Sequence, residues 1–141
     1  VAGTTNSGTI TNNDLFVMRY NADGTLDTNF GTVVTDDGND GVETTARLVV
    51  QTDGKIIVAA TFHPTSGATL TNDFAVFRYY ADGTLDTTFG NGYGMAPPTD
   101  FGYFYHDYAY DVFIQQDGKI VVVGSVWNGS NFDIGLARYW P

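Results

Sequence analysis

Short apolar stretches alternate along the chain with turns rich in Gly, Asp, Asn and Thr, and no stretch has its apolar positions at the 3.6-residue spacing of a helix. The pattern predicts strands throughout. A first kind of strand is expected at residues 45–51 and again at 109–115. Asp53-Gly54 and Asp117-Gly118 follow, where glycine takes the positive φ of a tight hairpin without steric cost. A second kind is expected at 55–62 and 119–127, with a surviving part at 1–5. After a polar loop of variable length comes a third, at 14–20, 73–80 and 133–140. A weaker fourth is expected around 31–35 and 91–96, with Pro97 and Pro98 suited to a sheet edge because proline cannot donate to a ladder.

These strands recur because the chain is an internal repeat. Ala22-Asp23-Gly24-Thr25-Leu26-Asp27-Thr28-Asn29-Phe30-Gly31 returns 59 residues later as Ala81-Asp82-Gly83-Thr84-Leu85-Asp86-Thr87-Thr88-Phe89-Gly90, with one difference in ten positions. Gln51-Thr52-Asp53-Gly54-Lys55-Ile56 returns as Gln115-Gln116-Asp117-Gly118-Lys119-Ile120. In the third strand both alternating sets are apolar, Leu15 and Val17 on one side, Phe16, Met18 and Tyr20 on the other. Such a strand is expected to be covered on both faces.

Four-stranded antiparallel meanders stacked face to face are the blades of a β-propeller, and this all-β architecture is the fold expected here. A β-solenoid is the rival, although its repeats are shorter and lack such hairpins. The chain reads as one repeat domain over 1–141: a partial blade at 1–36, a blade at 37–100 and a partial blade at 101–141. The first blade lacks its first strand and the last its fourth, so this is an incomplete propeller of about two full blades plus partial strands. Its ends are expected to expose unpaired edges, to be completed by further blades of a longer chain or by self-association with other copies. Because the repeat begins inside a strand at Val1, the chain is expected to be a processed or excised piece.

The run Asn72-Asp73-Phe74, Val76, Arg78-Tyr79 and residues 81–90, followed by Ala109, Asp111-Val112 and residues 114–124, resembles the delta-sixty repeat of bacterial secreted and surface proteins. It is more distantly similar to NHL-type propeller blades. The resemblance covers essentially the whole chain. It departs where the fourth strand connects to the next first strand, since Gln51 and Gln115 are 64 apart against the repeat of 59. The resemblance implies a propeller-like extracellular module and supplies no catalytic residues.

Composition narrows the function classes. With 141 residues, 43% hydrophobic, the chain is long enough to bury a core. Sixteen acids against six Lys and Arg give a formal charge of −10, which argues against nucleic-acid and anionic-membrane partners. The absence of cysteine excludes disulfides and thiolate metal sites, and no apolar run is long enough for a membrane span.

Four groups of residues are candidates for a role beyond folding. Asn21, Asp23, Asp27 and the Thr25 carbonyl are faintly like a calcium loop, but Tyr80 replaces Asn21 in the copy and no closing Glu exists, so a structural turn is favoured. Arg19, Arg78 and Arg138 share the phase of Leu15 and Val17, and a guanidinium on a covered face needs a carboxylate, for which Asp27 and Asp86 are in phase. Asp36, Asp37 and Asp40 form the densest acidic loop and are the metal candidates, with a solvated loop as the alternative. The aromatic connection holding Tyr103, Phe104, Tyr105, Tyr108 and Tyr110 is the candidate ligand or interface region, against the alternative that some rings fill the core. His63 and His106 lack ligand spacing, and no serine has a nucleophile-elbow context.

The expectation is therefore a non-enzymatic extracellular or cell-surface structural, scaffold or adhesion protein, without a cofactor, assembling with further copies or further blades. The alternative is a ligand-binding module, for a glycan or surface protein through the aromatic loop, or for calcium through the acidic loops.

Overall fold

A computed structural model describes residues 1–6, 13–35, 42–64, 71–90, 92–102 and 105–141, which contain ten strands and no helix. Strands β1 (Ala2–Asn6), β2 (Asn13–Met18) and β3 (Thr32–Thr35) form a first antiparallel meander. Strands β4 (Val42–Val50), β5 (Ile56–His63), β6 (Asp73–Tyr79) and β7 (Met95–Thr99) form a second. Strands β8 (Asp107–Ile114), β9 (Ile120–Trp127) and β10 (Phe132–Tyr139) form a third, which is a separate sheet. One parallel bridge, Asn13 to Val42, joins the first two. These are propeller-type blades, here called the first, second and third.

Local chemistry accounts for the turns. In both long hairpins the glycine after Asp has positive φ, 86° at Gly54 and 81° at Gly118, and its N–H bonds back to Gln51 or Gln115. The Asp before it, Asp53 or Asp117, accepts from the following Lys N–H at 3.1 Å. The first strand of the second and third blades carries the same bulge, between Thr45 and Arg47 and between Ala109 and Asp111. The fourth strand of the second blade starts later than the apolar pattern suggests, at Met95. Gly90, Gly92 and Gly94 all take positive φ and hold the preceding segment in turns. A Cβ on Gly90 would lie 1.6 Å from the Met95 carbonyl oxygen, so only glycine permits this entry. Pro97 and Pro98 fall within β7, the edge of its sheet.

The core consists of two layers, one between each pair of neighbouring blades. Leu15, Val17 and Phe30 of the first blade meet Val58, Ala60, Ala75, Phe77 and Tyr79 of the second. From the opposite face of the second blade, Ile57, Ala59, Phe74 and Val76 meet Ala109, Val112, Ile120, Val122 and Ala137 of the third. The two layers are variations on one design. Phe74 stands where Leu15 stands one repeat earlier, and it packs over Gly124 and Gly135, which occupy the positions of Ala60 and Ala75. A larger knob is matched by smaller floors. A tyrosine-to-threonine hydrogen bond repeats too: Tyr79 to Thr35 at 2.7 Å, Tyr139 to Thr99 at 2.8 Å.

Coverage of the third strand on both faces holds for β6 alone, where every residue is buried. In β2, Leu15 and Val17 are buried while Phe16 and Met18 are only half-buried. In β10, Ile134 is 89% and Leu136 57% exposed. The physical reason is position: β6 has a blade on each side, and β2 and β10 each have one.

Candidate functional site

The repeated ten-residue turn is a structural unit. Asp23 accepts hydrogen bonds from the N–H and hydroxyl of Thr25, and Asp82 does the same with Thr84, which holds both carboxyls below their ordinary range. Arg19 Nε donates to Asp27 Oδ2 at 2.8 Å, and Arg78 Nε to Asp86 Oδ2 at the same distance. The guanidinium of each also lies over the turn phenylalanine, 4.8 Å from the Phe30 ring centre and 4.6 Å from that of Phe89. The carboxylates that a calcium loop would need are thus committed to backbone and arginine. Burial alone would push Asp86 up, but hydrogen bonds from the Thr88 and Tyr80 hydroxyls and the Thr88 backbone, with the Arg78 charge, hold it well below the usual carboxylate range. Lys55 Nζ adds a second cation at 3.5 Å.

Arg138 departs from the pattern expected of it. It is exposed and makes no ion pair among the described residues, whereas Arg19 and Arg78 each hold the Asp seven residues past the following Tyr.

Of the aromatic candidates, Tyr105, Tyr108 and Tyr110 are described, the last two within β8 and Tyr105 just before it. Tyr105, Tyr108 and their neighbours His106, Trp127 and Phe132 line a cavity of about 280 Å3. Tyr110 is 60% exposed and its hydroxyl accepts a hydrogen bond from Ser125 Oγ at 2.9 Å. Ser125 is the register partner of Ile134 on β10, and Val123 of Leu136, so these residues form one uncovered surface. Tyr103 and Phe104 lie outside the described residues, as do the metal candidates Asp36, Asp37 and Asp40.

Three other acids converge instead. Asp73 opens β6, Asp100 follows β7 and Asp107 opens β8, and ligand oxygens of all three lie within 4.8 Å of one another. Asp73 is 7% and Asp107 1% exposed. Asp107 Oδ2 accepts from the Phe101 N–H at 2.9 Å, and Asp100 Oδ1 from the Gly102 N–H at 2.8 Å. The buried Oδ1 atoms of Asp73 and Asp107 have no hydrogen-bond partner. Burial, followed by the charges of Asp100 and Asp107, pushes Asp73 up to about 6 against the opposing effects of Thr71 and His63. Burial likewise raises Asp107.

The two histidines, far apart in sequence, meet beside this cluster. His63 Nδ1 is 2.8 Å from Asn72 Oδ1, and the Asn72 N–H donates to His106 Nδ1 at 3.2 Å. The Asn72 carbonyl in turn accepts from the Asp107 N–H at 2.7 Å. The spacing of His63 and His106 gave no sign that they meet, but for the acids a signal was available. The residue 64 positions before Asp107 is Glu43 and the one 64 before Asp100 is Asp36, so both acids recur in the repeat.

Repeated meanders with a repeated inter-blade layer define a β-propeller-type repeat protein. The chain belongs to a β-propeller domain family of unknown function, DUF5122, whose family model matches residues 1–30, 51–89 and 115–141. Neither the curated proteins nor the solved structures contain a match to it. The unmatched stretches 31–50 and 90–114 contain the fourth strand, the connection and the next first strand (β3 and β4, β7 and β8), and the second of them holds Asp100, Asp107 and the aromatic candidates.

Proposed function

We propose that the chain is a non-enzymatic scaffold module of delta-sixty type, extracellular or at the cell surface, that works by adding blades of its own kind at an open face. The observation that carries this reading is the state of one set of positions in three blades. Leu15 and Val17 are covered by the second blade, and Phe74 and Val76 by the third. Ile134 and Leu136, the same positions in the third blade, are apolar and uncovered. Phe113 and Trp140 extend that surface, at 45% and 76% exposure. Exposed apolar patches are a mark of interaction sites, and register equivalence to two existing layers supports a further blade as the occupant. For the isolated chain that blade comes from a second copy, in a head-to-tail contact that continues as a ring or a filament.

Sedimentation velocity across micromolar concentrations tests it. The chain should associate with concentration, and Leu136→Asp should abolish the association while leaving the circular dichroism spectrum intact. A monomer at every concentration, or association undiminished in Leu136→Asp, overturns the reading.

A further inference from the structure

We propose that Asp73, Asp100 and Asp107 form a calcium site that clamps the second blade to the third. The three carboxylates come from the start of β6, the end of β7 and the start of β8, so a shared cation ties both outer strands of one blade to the first strand of the next. Their oxygens lie within 4.8 Å of one another, and two oxygens bound to one Ca2+ at about 2.4 Å are separated by at most about that distance.

The independent sign of a ligand is the unused bonding capacity. Asp73 Oδ1 and Asp107 Oδ1 are buried without a hydrogen-bond partner. Buried polar atoms in folded proteins are nearly all paired, and a carboxylate oxygen is the costliest to leave alone. None of the three acids forms an ion pair with Lys or Arg among the described residues. Two of the three carboxylates already hold their second lobe by a backbone N–H, so the site is partly arranged before any ion enters. The donors are hard oxygens from irregular segments, a set that suits Ca2+ better than the strict octahedron of Mg2+.

The sequence places the same acids one repeat earlier, as Asp14, Asp36 and Glu43. Asp14 is buried like Asp73. A turn accident would have no reason to recur at three separated positions. The third repeat supplies a contrast: Asp133, at the position of Asp73, is exposed and receives a hydrogen bond from Asn128 Nδ2 at 2.7 Å.

The experiment is thermal unfolding of the EDTA-treated 141-residue chain with calcium chloride against sodium chloride at matched ionic strength, with titration calorimetry alongside. A ligand at one hundred times its Kd raises Tm by about 5 °C or more in a domain of this size. The wild type should show that rise and a calorimetric isotherm. Asp73→Asn and Asp107→Asn should melt higher than wild type without calcium, because a buried repulsion is removed, and should lose the calcium response. Asp133→Asn should keep it. No calcium-specific rise in the wild type, or an equal rise in Asp73→Asn and Asp107→Asn, overturns the site. An equal rise with magnesium chloride overturns the assignment to calcium. These readouts concern the inside of one chain and are independent of association at the open face.

Discussion

Strands β6 and β10 are one element of the repeat in two settings. Both carry the pattern of a large apolar residue, a small residue, a second large apolar residue, one further apolar residue, and then Arg-Tyr. In β6 every residue is buried, with Phe74 and Val76 turned to the third blade and Ala75, Phe77 and Tyr79 to the first. In β10 only Gly135 and Ala137 are buried, and the opposite face is open. The difference teaches that the repeat encodes two adhesive faces per blade, and that a neighbour, not the strand itself, converts a face into core.

The largest expected break in that comparison is at the knob. Phe74→Ala should cost about 3–5 kcal/mol by urea denaturation, since it removes a fully buried ring from over Gly124 and Gly135. Ile134→Ala at the equivalent position should change monomer stability by less than about 0.5 kcal/mol. Equal effects would mean that Ile134 is covered in solution.

Next comes the arginine. Arg78→Met leaves Asp86 buried beside Lys55 alone and should cost about 3 kcal/mol, whereas Arg19→Met, with a guanidinium 47% exposed against 8% for Arg78, should cost much less. The sign with pH follows from Asp86, whose carboxyl is held below its unfolded value of about 3.9. Its pairing stabilises the fold above that pH and is lost as pH falls through the window beneath it. The stability gap between wild type and Arg78→Met should therefore narrow as pH drops below about 4, and a constant gap would show that the pair contributes no linkage.

The smallest effect sharpens the knob-and-floor argument. A Cβ on Gly135 would lie 2.3 Å from Val126 Cγ1 and 3.3 Å from the Phe74 ring, so Gly135→Ala should cost about 1–3 kcal/mol. Phe74→Leu recreates the smaller knob that Leu15 supplies one layer earlier. Combined with it, Gly135→Ala should cost less than it does alone, and a double-mutant cycle measures the coupling. Strict additivity would separate the two residues.

Much of the fold was legible because its determinants are local. The Asp-Gly pairs set the hairpins at Gly54 and Gly118, where a positive φ needs only glycine and a neighbouring Asp. Arg19 and Asp27 lie in one repeat, and a single turn brings them together. The beginning of β7 was less legible, since glycines within an apolar-looking run can be strand or turn, and packing of Gly90 against Met95 settles which. The acidic cluster was hidden for a different reason: residues 73, 100 and 107 are separated by a turn, a strand and a connection, and attention goes to acids that are dense in sequence, such as Asp36, Asp37 and Asp40.

By itself, then, the sequence determined the repeat, the strand and turn assignment, the apolar character of both faces of the third strand and the pairing options of its arginines. These follow from side-chain period, glycine's freedom and charge phase, all within about ten residues. Tertiary structure decided which faces are core, how Phe74 finds Gly124 and Gly135, and that three separated aspartates meet at a blade junction with two oxygens unpaired. Burial is a property of neighbours, and neighbours here are set by how one blade stacks on the next.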